Sequence, residues 1–103
     1  MDLSGKILCG TILIKSNLSR VNLTNVDLTG VNLLGANLYK ANLSGAFLTY
    51  VNFTNADLTD TNLSDANLYL ADFTNAIVSS NTNFINALYI KTIIGLDTIR
   101  TNK

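Results

Sequence analysis

The chain has 103 residues, 48% of them apolar and 14% charged, which is too apolar for disorder and short enough for one small domain. Seven Lys and Arg balance seven Asp, with no Glu, so neither the positive excess of a nucleic-acid binder nor the strong negative charge of an acidic mimic is present. There is no histidine and one cysteine, Cys9, which excludes an intramolecular disulfide and a histidine- or cysteine-rich metal centre.

Large apolar residues recur at every fifth position almost from the start: Leu3, Leu8, Leu13, Leu18, then Leu23 through Leu43 in "VNLTNVDLTGVNLLGANLYKANLSG". The apolar run from Ile7 to Ile14 is broken by Gly10 and Thr11 and is about half the length of the shortest membrane-spanning helix. The charged, apolar, small-residue order of a signal peptide is not seen, so a cytoplasmic protein without membrane contact is expected. The glycosylation-like triplets at Asn17, Asn22, Asn42, Asn52 and Asn62 follow automatically from a repeat rich in Asn-Leu-Ser/Thr.

A period of five suits neither regular element. A helix turns about 100° per residue, so the leucines would spiral around it. In a straight strand they would fall on alternate faces. Both conflicts vanish if the chain turns once per five residues, always in the same direction, with two inward residues flanking an outward one. A second inward column lies two positions before the first: Val21, Val26, Val31, Ala36, Ala41, Ala46, Val51, Ala56, Thr61, Ala66, Ala71 and Ala76. Asn or Asp stands between the two columns, and Ser or Thr followed by a turn residue comes after the leucine.

This A/V-N/D-L-S/T-X pattern, held from Leu3 to about Ile99, resembles the pentapeptide-repeat family. The resemblance implies an all-β fold, a right-handed quadrilateral parallel β-helix (solenoid) with four pentapeptides per coil. Five coils at about 4.8 Å would give a rod about 24 Å long.

Phe53 and Phe73 replace leucine within the register, which holds to Val78 and fails where Asn83 meets an inward position. One extra residue near 79–81, a bulge at a corner, restores it. Phe84, Tyr89, Ile94 and Ile99 then become the large inward residues, preceded by Thr82, Ala87, Thr92 and Asp97. The expected organisation is thus a β-helix over 1–100 with a one-residue register shift, and a disordered tail over 101–103. Residues twenty apart stack, placing Phe53 over Phe73 and aligning Asn22, Asn42, Asn62 and Asn83 as an amide ladder. The first coil looks uncapped, its edge blunted by Lys6 and Lys15 or covered by another subunit, and Thr92 to Lys103 reads as a short cap. Family members often dimerise through such an end, so a homo-oligomer through coil ends is expected.

No catalytic, cofactor-binding or metal-ligating constellation emerges, and no cofactor is expected. Asp57, Asp60 and Asp65 occupy ordinary repeat positions on a filled solenoid, which offers paired carboxylates no concave pocket. Arg20, Lys40 and Asp60 form a column in which Lys40 and Asp60 would pair as an exposed ion pair. Cys9 has no cationic neighbour evident to activate it. Gly30, Gly35 and Gly45 sit at turns of separate repeats and open no helix, so they make no phosphate loop. One group exceeds structural need: Phe47 in an outward slot normally filled by Asn or Asp, Tyr50 in a turn slot, and Tyr69 and Leu70 one coil above. These four are the candidate protein-binding patch, because aromatic side chains on a rigid sheet lose little rotamer freedom on binding. Ile12, Ile14 and Leu34 form a weaker second patch.

The sequence therefore reads as a non-catalytic module presenting flat faces to an unknown protein partner, without direct nucleic-acid contact. The alternative implied by the resemblance is a DNA-mimic regulator of a type II topoisomerase, DNA gyrase; proteins of that kind are longer and strongly acidic, and this chain is neutral.

Overall fold

The computed structural model describes residues 1–102, excluding the side chain of Asn102; Lys103 lies outside the described residues. The chain winds into a four-sided parallel β-helix. Single parallel bridges join residues one coil apart along four faces: Asp2, Asn22, Asn42, Asn62 and Asn83 on the first; Ile7, Asp27, Phe47, Asn67 and Leu88 on the second; Ile12, Asn32, Asn52, Asp72 and Ile94 on the third. The fourth carries Asn17, Asn37, Asp57 and Ile77, completed by strand Ile77–Ser79 pairing with Arg100–Asn102.

Each five-residue unit is built from one turn and its bonds to the coils beside it. In the unit around Leu23, the Val26 amide closes the turn on the Leu23 carbonyl (3.1 Å). The Leu23 amide donates to Asn42 (2.7 Å) and the Asn25 amide to Ser44 (2.9 Å), while the Asn22 amide reaches back to Met1 (3.0 Å). The turn requires positive φ at its third residue, so the fifth residue of the unit is left-handed, as at Asn25 (φ 58°), Asn55 (φ 60°) and Asp65 (φ 59°). Asn, Asp and Gly dominate there because they enter that region at least cost.

The outward Asn and Asp secure the turn locally. Asn22 Oδ1 accepts the Thr24 amide (3.0 Å) and hydroxyl, and Asp27, Asn42, Asn62 and Asp72 repeat the amide contact. On the first face Asn22, Asn42, Asn62 and Asn83 each hold their own turn, and no coil-to-coil amide bond joins them among the described residues, so the ladder expected there does not form. A coil-to-coil amide contact occurs instead on the third face, from Asn52 to Asn32 (3.3 Å).

Both inward columns from Val21 to Ala76 fill the axis, with Leu28, Leu48 and Leu68 and also Leu33, Phe53 and Phe73 fully buried. At about 25 cal/mol per Å2, burying each leucine stabilises by roughly 1.5–3 kcal/mol. Phe53 and Phe73 stack at 5.0 Å, and Phe84, which follows Asn83 on the first face, meets Phe73 from the side at 6.2 Å. The first-coil leucines Leu3, Leu8, Leu13 and Leu18 are only partly buried. With overall extents of 30 × 25 × 24 Å, the short rod is about as wide as it is long.

The last coil departs from the expected register. Bridged residues are 20 apart up to Asp57 and Ile77, 21 apart at Asn62 and Asn83, 22 at Asp72 and Ile94, and 23 at Ile77 and Arg100. The first step falls where one extra residue was expected, but two more residues enter, through 3₁₀ turns at Ile90–Thr92 and Leu96–Thr98. Tyr89 and Ile94 consequently face out, 55% and 48% exposed, and Ile90 and Ile93 fill the interior in their place. Ile99 does pack on the core, whereas Asp97 is exposed on the second 3₁₀ turn. Arg100–Asn102 is a paired strand, which corrects the expectation of a disordered tail for residues 101 and 102.

Candidate functional site

The four patch residues lie on the second face and on the corner that follows it. Phe47 is bridged to Asp27 below and Asn67 above, and its ring stands 51% exposed in the slot where those neighbours carry polar side chains. Lacking an acceptor oxygen, Phe47 makes none of the turn-securing contacts that Asp27 makes with Thr29. Tyr50 takes the left-handed corner position (φ 61°) and Leu70 the equivalent one a coil above (φ 53°). For β-carbon-bearing residues other than Asn and Asp this region is costly.

Tyr50 and Tyr69 meet edge to face at 5.9 Å, and Tyr69 meets Tyr89 in the same way at 5.5 Å, so three tyrosines climb one corner. Leu88, 52% exposed, continues the column of Phe47. Leu70 is half-buried, and its amide is held by Thr92 Oγ1 (2.9 Å). The structure thus brings Tyr50 and Tyr69 into contact, leaves Phe47 three residues earlier on the flat face, and adds Leu88 and Tyr89. Sequence reasoning missed Tyr89 because a single shift assigned it inward, and passed over Leu88 although the same shift leaves it in an outward slot; a tyrosine at an interior position of a leucine-filled axis was the available signal for the first, and a leucine in a slot usually filled by Asn or Asp for the second.

The second patch is looser. Ile12 and Ile14 are 75% and 44% exposed, and Leu34 is half-buried in the column of Ile14. The charged column also differs from expectation. Arg20 and Lys40 both lie over the Tyr39 ring, at 5.5 and 5.4 Å from its centre. Asp60 is engaged elsewhere, accepting a hydrogen bond from Ser79 Oγ (2.7 Å) at the corner where the first extra residue enters. The cations favour the ring face, so the expected pairing of Lys40 with Asp60 is replaced by these contacts.

Cys9 is exposed, and its thiol lies 3.9 Å from the Asp27 carbonyl. Hydrogen bonding to Asp27 raises its pKa, the opposite of an activated nucleophile. Asp27 is held below the ordinary carboxylate range, first by the Thr29 hydroxyl and then by the Thr29 amide. The Asp57, Asp60 and Asp65 side chains stand at separate turns, Asp57 accepting the Thr59 amide and Asp60 facing Ser79. No group of three or more metal-ligating side chains occurs among the described residues, and no helix among them is long and apolar enough to cross a membrane.

Among solved structures, a pentapeptide repeat protein from the Arabidopsis thaliana thylakoid lumen is similar at 34% identity and TM-score 0.81, over 84% of this chain and 59% of its own length. HetL, a pentapeptide repeat protein involved in heterocyst differentiation regulation in the cyanobacterium Nostoc sp. strain PCC 7120, is similar at 29% identity and TM-score 0.71, over 90% of this chain and 46% of its own. Another pentapeptide repeat protein from Nostoc PCC 7120 is similar at 28% identity and TM-score 0.63, over 98% of this chain and 84% of its own. This chain therefore spans about half the length of the first two. A comparison with curated proteins found no match. The family model for pentapeptide repeats matches eight copies, within residues 1–30, 16–55, 36–75 and 48–88. Repeat, four-sided coil and likeness to these structures agree, and the chain belongs to the pentapeptide-repeat family of right-handed quadrilateral β-helices.

Proposed function

We propose that this chain is a non-catalytic recognition module that holds an exposed aromatic surface on a rigid β-helix for another protein to bind. The observation that carries this reading is the corner ladder of Tyr50, Tyr69 and Tyr89 beside Phe47. Pentapeptide-repeat proteins are generally structural or interaction modules, which supports the same class. An axis filled by side chains also favours surface binding over chemistry in a cleft. The partner is a protein rather than nucleic acid or membrane, because the surface is aromatic and the net charge is zero. A cytoplasmic location and self-association through a coil end belong to the same proposal.

The test is affinity capture with three baits: the natural chain, the double variant Phe47→Ser with Tyr50→Ser, and a control variant Ile14→Ser. A partner retained by the natural chain and the control but lost by the double variant supports the reading. Identical captured sets for all three overturn the patch assignment. A supercoiling assay with DNA gyrase should show no inhibition and no protection, as expected of a neutral surface.

A further inference from the structure

The neutral total hides an uneven distribution of charge along the axis. Four of the seven cations, Lys6, Lys15, Arg20 and Lys40, fall in the first forty residues together with only two of the seven carboxylates, Asp2 and Asp27. The other five Asp follow from Asp57 onward. The first two coils are therefore positive and the later ones negative. Three of the early cations border the fourth face, Lys15 at the corner before it and Arg20 and Lys40, one coil apart, at the corner after it.

Lys15, Arg20 and Lys40 all take the left-handed turn position, at φ 56°, 62° and 55°, which Asn, Asp or Gly would enter at less cost. The turn itself does not call for a long charged side chain. Arg20 and Lys40 are exposed and converge on the half-buried Tyr39 ring, 5.5 and 5.4 Å from its centre, and neither ends in an ion pair among the described residues. A ring attracts each cation but carries no net charge, so Tyr39 gathers two positive groups without cancelling them. The carboxylates of the coil above are turned to other partners, Asp57 to the Thr59 amide (2.9 Å) and Asp60 to Ser79 Oγ (2.7 Å). At the opposite edge of the face the Lys15 stem runs past Gly35, where a β-carbon would stand 3.2 Å from its Cγ. Exposed Ile14 and half-buried Leu34 precede these two residues and give that edge an apolar margin.

We infer that the fourth face, over the first two coils, docks an acidic segment of a partner protein, its carboxylates on Arg20 and Lys40 and an apolar side chain beside Ile14 and Leu34. The Arg20 guanidinium offers a two-pronged fork to one carboxylate, and the Lys40 ammonium a compact charge to the next. Because the Tyr39 ring already holds both groups, less side-chain freedom is lost when they are engaged. Asn17 and Asn37, exposed on the face between the two edges, add side-chain amides able to donate to the main chain of the segment. A short acidic segment fits better than a nucleic acid, which needs a longer run of positive charge than these coils supply before Asp57 and Asp60 reverse the sign. This goes beyond the recognition reading above. The fourth face lies opposite the second, so the basic corner and the tyrosine corner can be occupied independently.

The experiment measures fluorescence anisotropy of short labelled peptides built from Leu, Ser and a graded fraction of Glu, titrated with the 103-residue chain at low and at raised salt. Binding should strengthen with Glu content and weaken as salt is added. Arg20→Ala with Lys40→Ala should raise the dissociation constant at least about tenfold, Arg20→Lys less because the fork is lost, and Lys91→Ala, which removes an exposed cation from the last coil, should leave it unchanged. Arg20→Glu with Lys40→Glu should pass the preference to peptides in which Lys replaces Glu. Circular dichroism checks that each variant is folded, as the exposure of these side chains predicts. On adding the most acidic peptide, amide shifts in a nitrogen–proton correlation spectrum should cluster at Arg20, Tyr39 and Lys40. No binding up to about 1 mM, undiminished binding by the double alanine variant, or an equal loss with Lys91→Ala would each overturn the inference. Tighter binding of a single-stranded oligonucleotide or of phosphatidylserine vesicles than of any peptide would also overturn it, assigning the corner to phosphate. The capture experiment stands apart, since loss of a partner on changing Phe47 and Tyr50 reports on the tyrosine corner alone.

Discussion

Thr92 Oγ1 accepts the Leu70 amide at 2.9 Å, standing in for a main-chain carbonyl of the next coil. One coil lower the equivalent amide, of Tyr50, reaches the Tyr69 carbonyl directly (2.9 Å). Ser79 does for Asp60 (2.9 Å), and Thr98 for Asn75 (2.8 Å), what Thr92 does for Leu70. Each hydroxyl marks a place where an extra residue enters the coil, and Thr92 and Thr98 pass their own protons to the Tyr89 and Gly95 carbonyls. The helix absorbs irregular units by substituting side-chain oxygens for backbone ones.

Replacing Thr92 by Val should therefore destabilise the fold by about 1–2 kcal/mol, and Thr98 by Val by about 0.5–1 kcal/mol because that contact is more exposed. Urea unfolding checks the magnitudes. Amide exchange at Leu70 and Asn75 checks the mechanism, since each should accelerate only in its own variant.

Gly95 combines a left-handed conformation with main chain close by, whereas a β-carbon at Gly45 would meet only the Asn25 side chain. The Gly95 φ is 75°, and a β-carbon there would lie 2.7 Å from Thr74 Cα and 2.9 Å from the Thr74 amide nitrogen. Because backbone cannot swing aside, Gly95→Ala should cost more than the ~1 kcal/mol of a left-handed alanine, about 2–3 kcal/mol in all. Gly30→Ala, at φ 71° with open space around it, supplies the comparison and should cost only about 1 kcal/mol. Equal thermal shifts for the two would show that the last coil yields at Thr74.

Two threonines two residues apart should respond in opposite directions. Thr61 is fully buried, and its hydroxyl donates to the Leu38 carbonyl (2.7 Å), whereas Thr59 Oγ1 is buried with no partner. Thr61→Val should lose about 1 kcal/mol, and Thr59→Val should be neutral or gain about 0.5–1 kcal/mol. Denaturant midpoints decide, and a loss at Thr59 comparable to that at Thr61 would mean that a water satisfies the Thr59 hydroxyl.

Asp27 links stability to acid. The Thr29 hydroxyl and amide hold its carboxylate below the ordinary range, and Asp2 is shifted the same way by Ser4. A depressed carboxylate contributes stability that is present above its unfolded value, about 4, and is lost as pH falls through the lower folded value. Melting temperature should thus be level from neutral pH to about 5 and decline below about 4. Asp27→Asn should flatten part of that acid limb, as read from thermal melts in a pH series.

The period of five was legible because it comes from one turn repeated with one sign, and every inward slot from Val21 to Ala76 carries an apolar residue or Thr61. The entry of one residue near 79–81 was legible too, since Asn83 would otherwise be buried. The two later insertions were not. From Ile90 to Ile99 nearly every second residue is apolar, so several registers bury equal surface, and the choice falls to contacts invisible to periodicity: the Thr92 and Thr98 hydroxyls and the room made by Gly95. The patch was half legible for the same reason, Phe47 and Tyr50 lying in regular coils and Tyr89 in the irregular one.

Tyr50 tests whether the corner surface is retained for recognition or for stability. Its left-handed backbone, φ 61°, costs a tyrosine about 1 kcal/mol relative to Asn or Gly, and its ring contact with Tyr69 returns about 0.5–1.5 kcal/mol when well packed, less at 58% exposure. The two terms nearly cancel, so Tyr50→Asn should change the unfolding free energy by less than about 0.5 kcal/mol while abolishing capture of the partner. Residue 70, with φ 53° in the same column, serves as the control: Leu70→Asn relieves the same strain but removes half-buried surface, so it should not stabilise. If Tyr50→Asn instead destabilised the chain as much as a core substitution, the tyrosines would be a structural seam along the corner, and the aromatic surface would need no partner to explain it.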